Sequence, residues 1–268
     1  MTSRLTGAFR TAGRPLIVAC TVAGDPCFEE SISIIRELVT AGADIIEIVM
    51  PFSDPVADGP VIQQAAARAL ASGMNTDRLF EMIRIVRKET EIPLIVMTYA
   101  NIVIQRRIQE FYLDAANAGA DGVVVADVPI EEADPFCAAA GNAGIDPILF
   151  VSQTTSSGRM GRILSMAGGF VYLVAALGVT GTREEISPDA IELMRRVKKM
   201  TSLPVVPGFG ISTPDHVREY TRAGADGVIV GSALISIIAE RDYRAREAGS
   251  ESALGALVKG MKNAAQRR

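Results

Sequence analysis

Glu47 lies within Ile45-Ile46-Glu47-Ile48-Val49-Met50, which runs directly into Pro51-Phe52-Ser53-Asp54-Pro55-Val56-Ala57-Asp58-Gly59-Pro60. An ionised carboxylate buried among large apolar side chains is strongly disfavoured unless it is partnered. It therefore either finds hydrogen-bond donors or holds its proton to a higher pH than a solvated glutamate does. The second outcome is what a general acid/base requires; the first would make Glu47 structural. Asp58 has two readings as well. Asp-Gly-Pro is ordinary turn chemistry, or Asp58 is a second carboxylate of the same site.

A different chemistry is written in glycine. Gly208-Phe209-Gly210-Ile211-Ser212 and Gly231-Ser232-Ala233 each follow an apolar run and lead toward helical sequence. Free backbone N–H groups at helix starts, with the positive end of the helix dipole behind them, bind anions such as phosphate. Gly210 and Gly231 would let the backbone approach closely, and Ser232 adds a hydroxyl; the alternative is that these glycines serve turns alone. Gly178-Val179-Thr180-Gly181 could supply a further amide and, with polar Thr182 to Glu185 behind it, form a mobile lid.

Other mechanisms lack their residues. The five lysines, Lys88, Lys198, Lys199, Lys259 and Lys262, all fall in helical sequence, leaving no Schiff-base candidate. The single histidine, His216, follows Pro214 early in a helix and reads as solvent-facing. With Cys20, Cys27 and Cys137 at no metal-ligand spacing, neither a zinc site nor a nucleophile–histidine pair can be assembled. The cysteines read as packing residues. Proton transfer by carboxylates, with a tyrosine, is the chemistry that remains.

Such residues need a frame. Ala41-Gly42-Ala43-Asp44, Ala118-Gly119-Ala120-Asp121 and Ala223-Gly224-Ala225-Asp226, with the variant Ala143-Gly144-Ile145-Asp146, each precede an apolar run. Each marks a helix ending on a left-handed glycine and handing over to a strand. Reading outward places eight strands near 15–20, 44–50, 93–98, 121–126, 147–151, 170–175, 203–207 and 226–230, with helical spacing between them. Continuously apolar strands imply a parallel sheet covered by helices. At 268 residues, eight such units favour an α/β (β/α)8 TIM barrel forming a single domain over 1–268. Extra helical sequence follows strand 2, at 61–72 and 76–89, and a final helix lies within 247–268. In a barrel the active site is built at the carboxyl ends of the strands, and the loops after strands 7 and 8 hold phosphate. Glu47, Asp58 and the glycines fall there.

A net charge of -4 carries no nucleic-acid footprint. The apolar runs are too short to span a bilayer and the amino terminus shows no secretory pattern, so a cytoplasmic location without membrane contact is expected.

Thr21-Val22-Ala23-Gly24-Asp25-Pro26, the segment from Glu47 through PFSDPVADGP, Tyr99-Ala100-Asn101, Ala126-Asp127-Val128-Pro129, Gly178-Val179-Thr180-Gly181, Gly208-Phe209-Gly210-Ile211-Ser212 and Gly231-Ser232 together resemble the tryptophan synthase alpha chain family, in order and over nearly the whole length. PFSDPVADGP after a strand glutamate is the specific part. The resemblance implies a retro-aldol cleavage of indole-3-glycerol phosphate to indole and glyceraldehyde 3-phosphate. It implies Glu47 as the acid/base near indole C3 and the glycerol hydroxyl, Asp58 as acceptor of the indole N–H, and Tyr172 beside the glutamate. Gly181, Gly210, Gly231 and Ser232 would hold the phosphate, and Cys20, Tyr99 and Phe209 would line the pocket. It further implies an α2β2 heterotetramer in which a beta chain carries pyridoxal phosphate and receives indole, with Asp54 facing that partner and no cofactor in this chain.

Three places depart from the common pattern: Val49, expected to narrow the strand end, Cys20, expected to widen the pocket, and Ala175-Ala176-Leu177 ahead of the lid. The alternatives are an isomerase of the related phosphate-binding barrels, which would not account for PFSDPVADGP, a stand-alone lyase of the same lineage, and a barrel acting mainly to activate a partner. The last accounts poorly for two carboxylates.

Overall fold

The computed structural model describes residues 3–174, 186–240 and 252–266. Its strands are β1 (Leu16–Val22), β2 (Ile45–Val49), β3 (Leu94–Thr98), β4 (Gly122–Val125), β5 (Asp146–Pro147), β6 (Leu149–Ser152), β7 (Val171–Val174), β8 (Val205–Gly208) and β9 (Gly227–Val230). All pairings are parallel, in the orders β5-β4-β3-β2-β1-β9 and β6-β7-β8. The two arcs are one barrel. Asp226 N donates to Val205 O at 3.1 Å, joining β9 to β8, and the chain itself joins β5 to β6 through Ile148.

The fifth strand, expected as one run over 147–151, is therefore two pieces. Pro147 has no N–H to give the ladder, and such a residue marks an interruption within a sheet. Asp146–Pro147 pairs with β4 and Leu149–Ser152 with β7.

Around the strands lie α1 (Arg4–Thr11), α2 (Phe28–Thr40), α3 (Pro60–Ala71), α4 (Thr76–Arg87), α5 (Ala100–Gln105), α6 (Ile108–Ala118), α7 (Asp134–Ala143), α8 (Ser157–Met166), α9 (Pro188–Lys198), α10 (Pro214–Ala223), α11 (Ser232–Ala239) and α12 (Ala253–Ala264). The extra helical sequence after the second strand is α3 and α4, and the final helix is α12. Every residue of β1, β2 and β3 is buried, as expected for strands covered on both faces. None of the helices, among the described residues, is long and apolar enough to cross a membrane.

The repeated glycine-aspartate phrase has a physical role at both of its residues. Gly42, Gly119 and Gly224 all take φ near +100° (99°, 100° and 99°) as their helices end. The aspartates then reach sideways. Asp44 accepts from Ile17 N at 2.9 Å, Asp121 from Leu94 N at 2.8 Å and Asp226 from Val205 N at 2.8 Å, so each clamps the first residues of a neighbouring strand. A cation completes each clamp: Arg14 at 2.7 Å, Arg87 at 2.6 Å and Lys198 at 2.8 Å. The variant phrase departs, since Asp146 accepts from Ser3 Oγ at 2.7 Å instead. These contacts lie at strand starts, opposite the end that carries Glu47-side chemistry.

Candidate active site

Residues on one face of a strand recur every second position, and Glu47 lies on the inner face of β2 with Cys20 opposite it on β1. Both line a cavity of about 360 Å³ at the carboxyl ends of the strands. Asp58 reaches the same cavity from the loop after β2, Tyr172 from β7, Phe209 and Gly210 from the loop after β8, and Gly231 and Ser232 from the start of α11. Eight of the expected site residues thus surround one space whose size suits a small organic ligand.

Glu47 is only 1% exposed, and among the described residues its Oε2 has no hydrogen-bond partner. Burial is the largest influence on its carboxyl and pushes the pKa up from an ordinary 4.5 to about 7; the Cys20 thiol, hydrogen-bonding to it, pulls the other way, and the charge of Asp58 adds to the rise. The Cys20 thiol is itself pushed up, by burial first and then by the charge of Glu47.

Asp58 is buried and its pKa is raised by burial, opposed by a hydrogen bond from Tyr99. That bond, Tyr99 Oη to Asp58 Oδ2, is 2.8 Å long, and the same hydroxyl accepts from Ala57 N at 3.2 Å. Phe52 stacks on the Tyr99 ring with centroids 5.0 Å apart. Tyr99 was expected on the pocket wall; it instead stands behind Asp58, wholly buried, because its hydroxyl is consumed in holding the loop over 51–58. The loop leads into α3, whose Arg68 makes bonds of 2.8 Å to both oxygens of buried Asp25 after β1.

Tyr172 is buried against Phe150, with centroids 4.7 Å apart, and Phe209, at 6.1 Å. Its ring lies over Gly208, where an added Cβ would come within 2.6 Å of it. Burial pushes the phenol's pKa well up, so it acts as a neutral group.

At the glycine end, Gly231 caps α11 and places Ser232 at the first helical position, as the phosphate reading requires. Gly210 is placed differently from expectation: α10 begins at Pro214 with Thr213 as its cap, so Gly210 belongs to the preceding loop and not to a helix start. There Phe209 and Gly210 take φ of 75° and 76° in succession.

A family-wide sequence model described as tryptophan synthase alpha chain matches residues 8–266. The chain belongs to the tryptophan synthase alpha chain family. Within it, the alpha chain of Methanoregula boonei is 50% identical over 238 residues, 89% of this chain and 90% of its own, and that of Methanothermobacter thermautotrophicus is 49% identical over 86% and 85%. Among solved structures, tryptophan synthase subunit alpha from Legionella pneumophila superposes with a TM-score of 0.87 at 36% identity, covering 98% of both chains. A chain of the tryptophan synthase α2β2 complex from Pyrococcus furiosus superposes with a TM-score of 0.84 at 35% identity, covering 94% and 98%.

Several site features of this family member were not read from its sequence. Ile211, Ser212 and Ser236 also line the cavity; Ser236 follows Ser232 at a spacing of one helical turn, a signal that was available. His216 is buried, not solvent-facing, and its Nδ1 accepts from Ser212 N at 3.3 Å. Val49, expected to narrow the strand end, is buried but is not among the residues lining the cavity. Asp54 is exposed and takes a 2.5 Å hydrogen bond from Ser53. Gly181 and Ala175-Ala176-Leu177 lie outside the described residues.

Proposed function

We propose that the chain catalyses the retro-aldol cleavage of indole-3-glycerol phosphate to indole and glyceraldehyde 3-phosphate, as the alpha subunit of a tryptophan synthase. The observation that carries this reading is Glu47: a buried carboxyl with its pKa near 7 and one oxygen unpartnered among the described residues, in a cavity walled mostly by apolar side chains. A group poised there can both give and take a proton at neutral pH.

The chemistry needs both actions. Protonation of indole C3 breaks the ring's aromaticity and draws on the nitrogen lone pair; Asp58, accepting the indole N–H, stabilises the positive charge that develops. Removal of the proton from the adjacent glycerol hydroxyl then forms the aldehyde as the carbon–carbon bond to C3 breaks, and the bonding pair returns to the ring. One proton is given and one taken, so Glu47 ends as it began. Tyr172 packs beside this centre as a neutral wall. Gly231, Ser232 and Gly210 take the phosphate, which sets the length of the substrate against the depth of Glu47.

The partner is a beta chain carrying pyridoxal phosphate, assembled as α2β2 in the cytoplasm, and this chain needs no cofactor of its own. The exposed side of the loop over 51–58 supports a contact there: Val56 is 82% exposed and Asp54 lies beside it, while Ile104 on α5 is also exposed. An exposed apolar side chain on the loop that also carries Asp58 ties docking to the site.

The test is indole release from indole-3-glycerol phosphate, with and without a beta chain. Glu47→Gln keeps the shape but cannot exchange the proton and is expected to abolish release; near-normal cleavage by this variant would remove the assignment. Stimulation by the beta chain is expected, and its absence would make the chain a stand-alone lyase.

A further inference from the structure

The bend that brings Phe209 and Gly210 to the cavity is strained. Phe209 is a bulky side chain at φ 75°, a conformation that residues other than glycine rarely adopt, and it persists only where the surroundings enforce it. Two residues beyond this bend, the loop is tied to the first turn of α10. His216 turns its ring back toward the loop, where Nδ1 accepts the backbone N–H of Ser212 at 3.3 Å, while the His216 N–H donates to Thr213 Oγ1 at 3.3 Å. These two bonds tie the last residues of the loop to the helix that follows. The imidazole is only 4% exposed, so it competes with little water for the bond.

We infer that His216 is a positioning residue for the phosphate end of the substrate. It acts through the loop and not on the reacting atoms. By holding Ser212, it keeps Gly210 and Ile211 on the cavity wall and engages the Ser212 amide, so that the phosphate is served by the loop ahead of Ser212 and by Gly231 and Ser232 across the cavity. A ring nitrogen that accepts a backbone N–H carries no proton, which fixes the neutral ring as the tautomer protonated at Nε2. This inference rests on the reading of the glycine end as a phosphate site.

The test uses the untagged full chain, in which His216 is the sole histidine and gives the only imidazole signals. Nitrogen-15 NMR near pH 8 is expected to show the Nε2–H tautomer; an Nδ1–H tautomer would overturn the proposal without any variant. His216→Ala is expected to raise KM for indole-3-glycerol phosphate, and the Kd for inorganic phosphate, by about 2- to 10-fold, the range of one hydrogen bond, with kcat within about twofold. His216→Asn, whose side-chain oxygen can replace Nδ1 as acceptor, is expected to recover most of that loss. If His216→Ala leaves both constants unchanged, if it lowers kcat alone, or if His216→Asn is no better than alanine, the positioning role is wrong. Wild-type chain that cleaves substrate but does not bind phosphate at this end overturns the inference alone. Wild-type chain that neither cleaves substrate nor binds phosphate overturns the functional reading and this inference with it.

Discussion

Replacing Glu47 with glutamine should stabilise the protein while it destroys catalysis, and the size of the gain should depend on pH. The carboxyl moves from an ordinary 4.5 to about 7 because burial penalises its charge. The folded protein therefore binds this proton more tightly than the unfolded chain does. Between those two values the folded state holds more protons, so stability falls as pH rises. The contribution is intact below about pH 4.5 and is lost as pH climbs through about 7. At ~1.36 kcal/mol for each tenfold change in proton affinity, the full penalty is about 3 kcal/mol. Glutamine is uncharged at every pH and so escapes it. The stability advantage of Glu47→Gln over the wild type should accordingly grow by about 2–3 kcal/mol between about pH 5 and about pH 8.5. Urea unfolding followed by circular dichroism at both pH values measures this directly. An advantage equal at the two pH values would mean that Glu47 is ionised and satisfied in the folded protein, and the acid/base argument would lose its physical basis.

Three further outcomes follow from the same site. Tyr99→Phe removes the hydrogen bond that opposes the rise of the Asp58 pKa, so the acid limb of the pH profile of kcat/KM should move to higher pH, with a loss of about tenfold below it; an unmoved limb would separate Tyr99 from Asp58. Cys20→Ala removes the thiol that opposes the burial of Glu47, so the Glu47 titration, followed by the pH dependence of kcat, should also shift upward, with cysteine chemistry itself not required. Gly208→Ala places a Cβ 2.6 Å from the Tyr172 ring, which must swing away; kcat/KM should fall on the order of tenfold, with a stability loss of about 1–3 kcal/mol, and unchanged kinetics would show that the ring's position is immaterial.

The barrel was legible because its signals are local. A left-handed glycine ending a helix and an apolar run beginning a strand need no distant partner, and the repeated phrase announced three of them plainly. Glu47 and Asp58 were legible for a related reason: a carboxylate in apolar or proline-bounded sequence is anomalous wherever the chain goes. The break at Pro147 was written in the sequence too, but whether a proline interrupts a strand or merely lies at its edge depends on which neighbours the two halves meet, β4 and β7 here. His216 and Tyr99 were misread because their roles are set by a single long or returning contact. The spacing of His216 behind Ser212 fits a solvated helix face as well as a ring folded back on the loop. Tyr99 sits at the carboxyl end of a strand, where a pocket residue belongs, and only the return of the loop over 51–58 puts Asp58 in front of it.

The three aspartate clamps have a consequence for how this molecule can change. Each fixes the starting point of one strand against its neighbour from the end remote from the cavity, using the same few residues each time. Strand alignment is thereby settled before the chain reaches the loops that carry Asp58, Phe209 or Gly231. The two rims of the barrel can then diverge at different rates: one carries the same joint at three of its strand starts, the other is a set of unlike tips. Substitutions such as Cys20, or a rebuilt loop after a strand, can alter what the cavity accepts without shifting the frame from which every tip is measured.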